Sequence, residues 1–220
     1  MLVAAAAAVM LERGAGITAS TTTEEVVDLF ANNHGALLAQ SLLFVISTGF
    51  FVVFLAGLLS FLSRAEGGTG VLSTAAFGAG IVWCAISLVA QAVQVALAMT
   101  SVSEAPPDLV GTMSDLMFAL LTVGNVPLAV LLGATGMLSL QAKAFPAWLG
   151  WLSLVAAATH LVVAFGIVVE TGPLAPGGLV TYAAYPLMVT WVLATTIMMI
   201  RRFGKPTSAP AVVRVRQHSG

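Results

Sequence analysis

Five stretches of the chain, residues 36 to 63, 71 to 100, 113 to 140, 147 to 169 and 178 to 200, are almost uninterrupted in apolar side chains, and the shortest are 23 residues long. An α-helix needs about 20 such residues to cross the hydrocarbon of a bilayer. Inside lipid every backbone polar group must find its partner within the segment, so runs of this length fold as helices. The expected fold class is all-α, a polytopic transmembrane bundle over residues 1 to 202. Composition agrees, with 59% hydrophobic and 8% charged residues, about a third of the charged fraction of a soluble domain. A net charge of -1 and a single Cys also exclude a basic nucleic-acid-binding surface and a disulfide-rich secreted fold.

Leu2 to Leu11 is strongly apolar but spans only about 15 Å as a helix, too short to cross alone. It reads as a partial span, the second half of a first membrane helix whose start lies upstream. The competing reading, a signal-peptide core, lacks the basic segment that normally precedes one.

Basic residues stay preferentially on the cytoplasmic side of a membrane. Arg64, Lys143, Arg201, Arg202, Lys205, Arg214 and Arg216 fall in one set of connections and only Arg13 in the other. The cytoplasmic membrane is thus the expected location, with a cytoplasmic C-terminus. Glu12, Glu24, Glu25, Asp28, Glu104, Asp108 and Glu170 lie in or beside the opposite loops. Trp148 and Trp151, and Tyr182 and Tyr185, fall at opposite span ends, where amphipathic rings favour the interface. Residues 203 to 220 carry basic residues and no acid; they read as a disordered cytoplasmic tail, either drawn to anionic headgroups or serving only as a topology signal.

Thr22 followed by Glu25 forms a capping box ahead of Val26, Val27, Leu29 and Phe30, which predicts a short amphipathic helix over about residues 22 to 33. It either lies on the outer surface, caps the bundle or simply leads into the first span. Pro106 and Pro107, and Pro173 and Pro176, mark the two other outer loops as helix breaks.

Polar side chains are costly in lipid unless they face other helices, so they report inward faces. Ala76, Gly80, Cys84, Ser87, Gln91, Gln94 and Ala98 make one such stripe. Gly111, Asp115, Thr122, Asn125, Ala129, Gly133 and Gly136 make a second, with Pro127 expected to bend the helix and release the Val123 carbonyl. Ser153, Ala157, His160 and Ala164, and Gln40, Ser47 and Thr48, mark the inward faces of two further spans. Gln91 and His160 both fall roughly 14 Å from the outer ends at 1.5 Å per residue. These groups therefore concentrate in the outer half. The expected site is a pocket lined by Gln91, Gln94, Asn125 and His160 with Asp115 and Tyr185 at its mouth; in the alternative they bond one another as packing contacts.

Known chemistries find little here. His160 is the only His within a span, against the two axial ligands a membrane haem b normally takes, and Cys84 stands alone. No metalloprotease, serine-hydrolase, phosphate-loop or zinc spacing occurs, and no Lys within a span offers a Schiff base. No cofactor, metal or nucleic acid is expected.

The segment TTTEEVVDLFANNHGALLAQSLLFVISTGFFVVFLAGLLSFLSRAEGG resembles an uncharacterised family of multi-pass membrane proteins of high-GC actinobacteria. The shared pattern is an outer helix with Glu25-Val26 and Leu29-Phe30, a break near His34 and Gly35, a long span, and Arg64-Ala65-Glu66-Gly67 at the cytoplasmic turn. A further full helix usually precedes the outer one in that family, which fits the partial span at Leu2 to Leu11. The resemblance implies topology and no activity. The functional expectation is a non-enzymatic membrane protein that binds a small apolar or lipid-like molecule, or a membrane partner, through the outer half. A permease or facilitator is the alternative, and a membrane enzyme ranks third.

Overall fold

A computed structural model describes residues 22–99, 105–169, 172–176 and 178–203. The partial span at 2 to 11, Arg13, Glu104, Glu170 and the tail from residue 204 lie outside the described residues. The fold is an all-α bundle, with no strand among the described residues, and five of its helical segments are long and apolar enough to cross a membrane.

The first helix, α1 (Thr23–Glu66), is 44 residues long. Its start is the expected capping box: the Thr22 hydroxyl accepts from the Glu25 N–H at 3.4 Å, and the Glu25 carboxylate accepts from the Thr22 N–H at 3.1 Å. Thr22→Ala is expected to cost about 1 kcal/mol, confined to the first turn. Faster amide exchange at Glu24 to Val26, with the rest of α1 unchanged, is the measurement.

The outer helix and the first span are one element rather than two. The expected break near His34 and Gly35 is a kink at Asn33 (φ -121, ψ 16) within the continuous helix. There the Asn33 amide donates to the Leu29 carbonyl at 3.0 Å, competing with the backbone for an acceptor of the helical ladder. A straight helix of this length would run about 66 Å, twice the hydrocarbon thickness, more than a single crossing needs. Val26, Phe30 and Leu37 pack against Leu97, Ala98 and Val110 as a small apolar cluster. This segment therefore both leads into the span and caps the bundle.

A glycine turn reverses the chain after α1, with Gly67, Gly68 and Gly70 at φ 56, 117 and 67, a region that L side chains avoid. The Glu66 carboxylate then caps α2 (Val71–Met99), accepting from the Leu72 and Ser73 N–H groups at 2.9 Å each. Both orphan donors are satisfied by an anion at the positive end of the helix dipole.

The third span is broken. It consists of α3 (Pro107–Val123) and α4 (Asn125–Gln141), separated at Gly124. Pro127 has no N–H to offer the Val123 carbonyl, so the ladder fails one turn before the proline, where the sequence predicts a bend. The fourth span is α5 (Ala147–Ala164), finished by a tight 3-10 turn at Phe165–Val168. The last is α6 (Leu179–Phe203), which carries the helix through Phe203, where the tail was expected to begin.

α2 packs against α1, α3 and α4, while α5 lies between α4 and α6. The main core runs from Phe51, Leu55, Leu58 and Leu62 through Leu131, Leu132 and Leu149 to Trp191. Outside, Phe50, Val53 and Phe165 are 67%, 70% and 68% exposed. Large apolar groups presented so widely suit lipid rather than water. One end of the bundle carries Glu24, Glu25, Asp28 and Asp108, and the other carries Arg64, Lys143 and Arg201. These are called the acidic and basic ends below.

Candidate functional site

Two apolar clusters occupy the bundle, and between them the buried residues change character. On α1 the buried positions between Leu37 and Phe51 are Gln40, Ser41 and Thr48. On α2 those between Cys84 and Leu97 are Ser87, Ala90, Gln91 and Gln94. On α3 they are Ser114, Met117 and Thr122. A polar layer thus crosses three neighbouring helices in the half nearer the acidic end, sealed above by the Val26 cluster and below by the main core.

Helix periodicity accounts for most of this. Every residue of the α2 stripe from Ala76 to Ala98 is buried, as are Ser153, Ala157, His160 and Ala164 on α5. The third span departs from expectation. Thr122, Ala129 and Gly136 are buried, Gly111, Asn125 and Gly133 are half-buried, and Asp115 is exposed. The buried face of α3 runs through Val110, Ser114 and Met117, one residue and so about 100° away from Gly111 and Asp115. The buried face continues through Gly124 to Leu128, Leu131, Thr135 and Leu138 at the same spacing, so the expected stripe is one residue out of register with it. Asp115 therefore does not pack inward.

Hydrogen bonds between side chains join helices in the polar half. The Gln94 amide donates to the Ser41 hydroxyl at 3.0 Å, joining α2 to α1. His160 Nδ1 and Asn125 Oδ1 are 2.7 Å apart, joining α5 to the start of α4. The Asn125 amide nitrogen also donates to the carbonyls of Leu121 at 2.9 Å and Thr122 at 3.2 Å, so it staples the helix break. Gln91 lies one turn from Gln94 along α2. Tyr185 is half-buried on α6. The six residues expected to share one pocket thus include two bonded members, Asn125 and His160, and one, Gln94, bonded to a serine outside the set.

Some hydrogen-bonding capacity remains unused. Gln40 Oε1, Gln91 Oε1 and His160 Nε2 are buried without partners, as is Thr195 Oγ1 in the last span. Gln40 is adjacent to Ser41 and Gln91 one turn from Gln94, so both flank the bond that pins α1 to α2. Satisfied polar groups are the rule in folded interiors. By contrast, Thr48, Thr122, Thr135, Ser139 and Ser153 all return their hydroxyls to carbonyls four residues back, the usual way a hydroxyl is tolerated in a membrane helix.

Sequence reasoning missed Ser41 as the partner of Gln94. Its signal is its spacing of seven residues from Thr48, which places both on one face of α1. Among the described residues no three His, Cys, Asp or Glu side chains converge as metal ligands would. Comparison with known proteins finds no matching family model and no significant likeness to a curated protein or a solved structure.

Proposed function

We propose that this is a non-enzymatic integral protein of the cytoplasmic membrane that binds a small amphipathic molecule in the extracytoplasmic half of its bundle. The reading rests on one observation: of the four described side chains with buried, unpartnered hydrogen-bonding atoms, Gln40, Gln91 and His160 lie in the polar half of the bundle. An unmade bond of this kind is costly in lipid, and a bound molecule that supplies the missing partners removes the cost. The orientation follows from the basic end, which under the positive-inside rule faces the cytoplasm with the C-terminus.

Gln91 and Gln94 provide the test, because they are chemically identical and one is bonded. Gln94→Leu strands the Ser41 hydroxyl and is expected to destabilise the unliganded protein by about 0.6–1.7 kcal/mol. Gln91→Leu removes a buried, unpartnered amide oxygen, so the unliganded protein should melt at the wild-type temperature or above it. The same variant should lose stabilisation by molecules recovered from the purified protein by organic extraction. If Gln91→Leu melts as low as Gln94→Leu, or if nothing extracted restores a shift in the wild type, the polar layer is packing alone.

A second reading, a facilitator for a small solute, is favoured by the broken third span, since discontinuous helices line many transport sites. Labelling of single cysteines along α3 and α4 from both membrane faces, in a Cys84→Ser background, separates the two. A path needs access from both sides, a binding site from one.

A further inference from the structure

The bond between Asn125 and His160 does more than join two helices. The Asn125 amide nitrogen faces two carbonyl oxygens, those of Leu121 and Thr122. Only the NH2 end of an amide can sit there, because an oxygen facing two acceptors would have no proton to share. The amide orientation, ordinarily ambiguous, is thereby determined. Its oxygen turns to His160 and, being an acceptor only, requires the ring proton on Nδ1, 2.7 Å away. In the neutral ring Nε2 then carries a lone pair. That lone pair belongs to a side chain only 5% exposed and has no partner.

We propose that His160 Nε2 is the anchoring acceptor for the bound molecule, that Asn125 is its positioning residue, and that the molecule is an amphiphile whose head donates an O–H or N–H. The proposal deepens the binding reading above and depends on it. Charge placement supports the donor class. The described cations Arg64, Lys143 and Arg201 all lie at the basic end, so among the described residues a carboxylate or phosphate head entering the polar half meets lone pairs and no Lys or Arg. A hydroxyl or ammonium head instead meets an acceptor whose direction is already set, and no tautomer change is needed on binding. Such a head is carried by a free long-chain alcohol or amine and also by an ethanolamine lipid; the recognition chemistry is the same.

The experiment is nitrogen NMR of the full-length, histidine-labelled protein in phosphatidylcholine nanodiscs, whose headgroups bear no O–H or N–H donor. The His160 signals are assigned by comparison with His160→Gln. Without ligand, Nδ1 should appear protonated and Nε2 unprotonated. Dodecanol, dodecylamine or added phosphatidylethanolamine should shift the Nε2 signal, whereas dodecyl methyl ether and laurate should not. A response to the lipid alone identifies a headgroup site; a response to the alcohol or amine alone identifies a free ligand.

Asn125→Leu should let the proton move to Nε2 and weaken dodecylamine binding, whose ammonium head can only donate, on the order of tenfold or more. Since Asn125 also staples the helix break, the wild-type spectrum and its response to the donor series carry the test if Asn125→Leu does not fold. A protonated Nε2 in the wild type, an equal response to the ether, or no response to any donor overturns the proposal. If laurate or the ether stabilises the protein through Gln91 while Nε2 stays unmoved, the binding site stands and the His160 anchor falls. If no amphiphile stabilises it, both fall.

Discussion

Gly136→Leu is expected to lower stability by on the order of 3 kcal/mol, as overpacking against a backbone does, and to separate α4 from α5. A Cβ at Gly136 would lie 2.9 Å from Leu154 and 3.0 Å from the Gly150 carbonyl oxygen. A Cβ at Gly150 would in turn meet Leu140 at 2.9 Å and the Ser139 Cβ at 3.0 Å. The two glycines therefore face one another's helices, and the obstruction includes main chain, which cannot swing aside as a side-chain tip can. Close backbone approach at small residues is the main source of helix affinity in lipid, where no hydrophobic force separates helix from solvent.

Two controls isolate the cause. A Cβ at Gly133 would sit 3.8 Å from Ala157, an ordinary contact, and one at Gly78 would meet nothing within 4 Å. Gly133→Ala and Gly78→Leu should both stay within about 0.5 kcal/mol of wild type. Unfolding in mixed micelles, titrated with dodecyl sulfate, gives all three values. A loss at Gly78 equal to that at Gly136 would mean that the added side chain itself, and not the crossing, sets the effect, since helix propensity favours Leu over Gly.

The spans and most inward faces are legible in the sequence because lipid imposes one rule on every helix: polar and small residues turn toward neighbours. On α2 and α5 that rule is sufficient, since the buried face of each carries the polar and small residues. It fails on the third span, where the buried face is largely apolar, through Val110, Met117, Leu128 and Leu131, and the neighbouring polar stripe leaves Asp115 exposed on α3. It fails differently at Asn33, where a side chain competing for one carbonyl kinks a helix without ending it. Partners are a further step beyond faces. Periodicity shows that Gln94 and His160 turn inward, but which group receives them depends on how far adjacent helices slide, and a single span carries no record of that. For the same reason the unequal status of Gln91 and Gln94, one turn apart on one stripe, has no counterpart in the sequence.

Trp191→Ala should produce the second large loss, on the order of 3–4 kcal/mol, and the size of its components decides how α6 is held. Trp191 is 0% exposed. Its ring N–H donates to the Ser153 hydroxyl at 2.7 Å, and that hydroxyl donates to the Leu149 carbonyl at 2.7 Å. Its ring also meets Phe54 edge-on at 6.0 Å between centroids. A hydrogen bond between membrane helices contributes about 0.6 kcal/mol on average and 1.7 at most. The dozens of atom contacts of a buried indole, at 0.1–0.2 kcal/mol each, contribute more. Trp191→Phe, which keeps most of the ring and gives up the donor, should therefore cost only about 1 kcal/mol. Ser153→Ala should cost about 1–2 kcal/mol, because it leaves the indole N–H buried without an acceptor. If Trp191→Phe proved as damaging as Trp191→Ala, hydrogen bonding rather than packing would hold α6 to α5. Because this anchor belongs to the main core and not to the polar layer, Ser153→Ala should melt earlier yet keep the full ligand-dependent shift that Gln91→Leu loses.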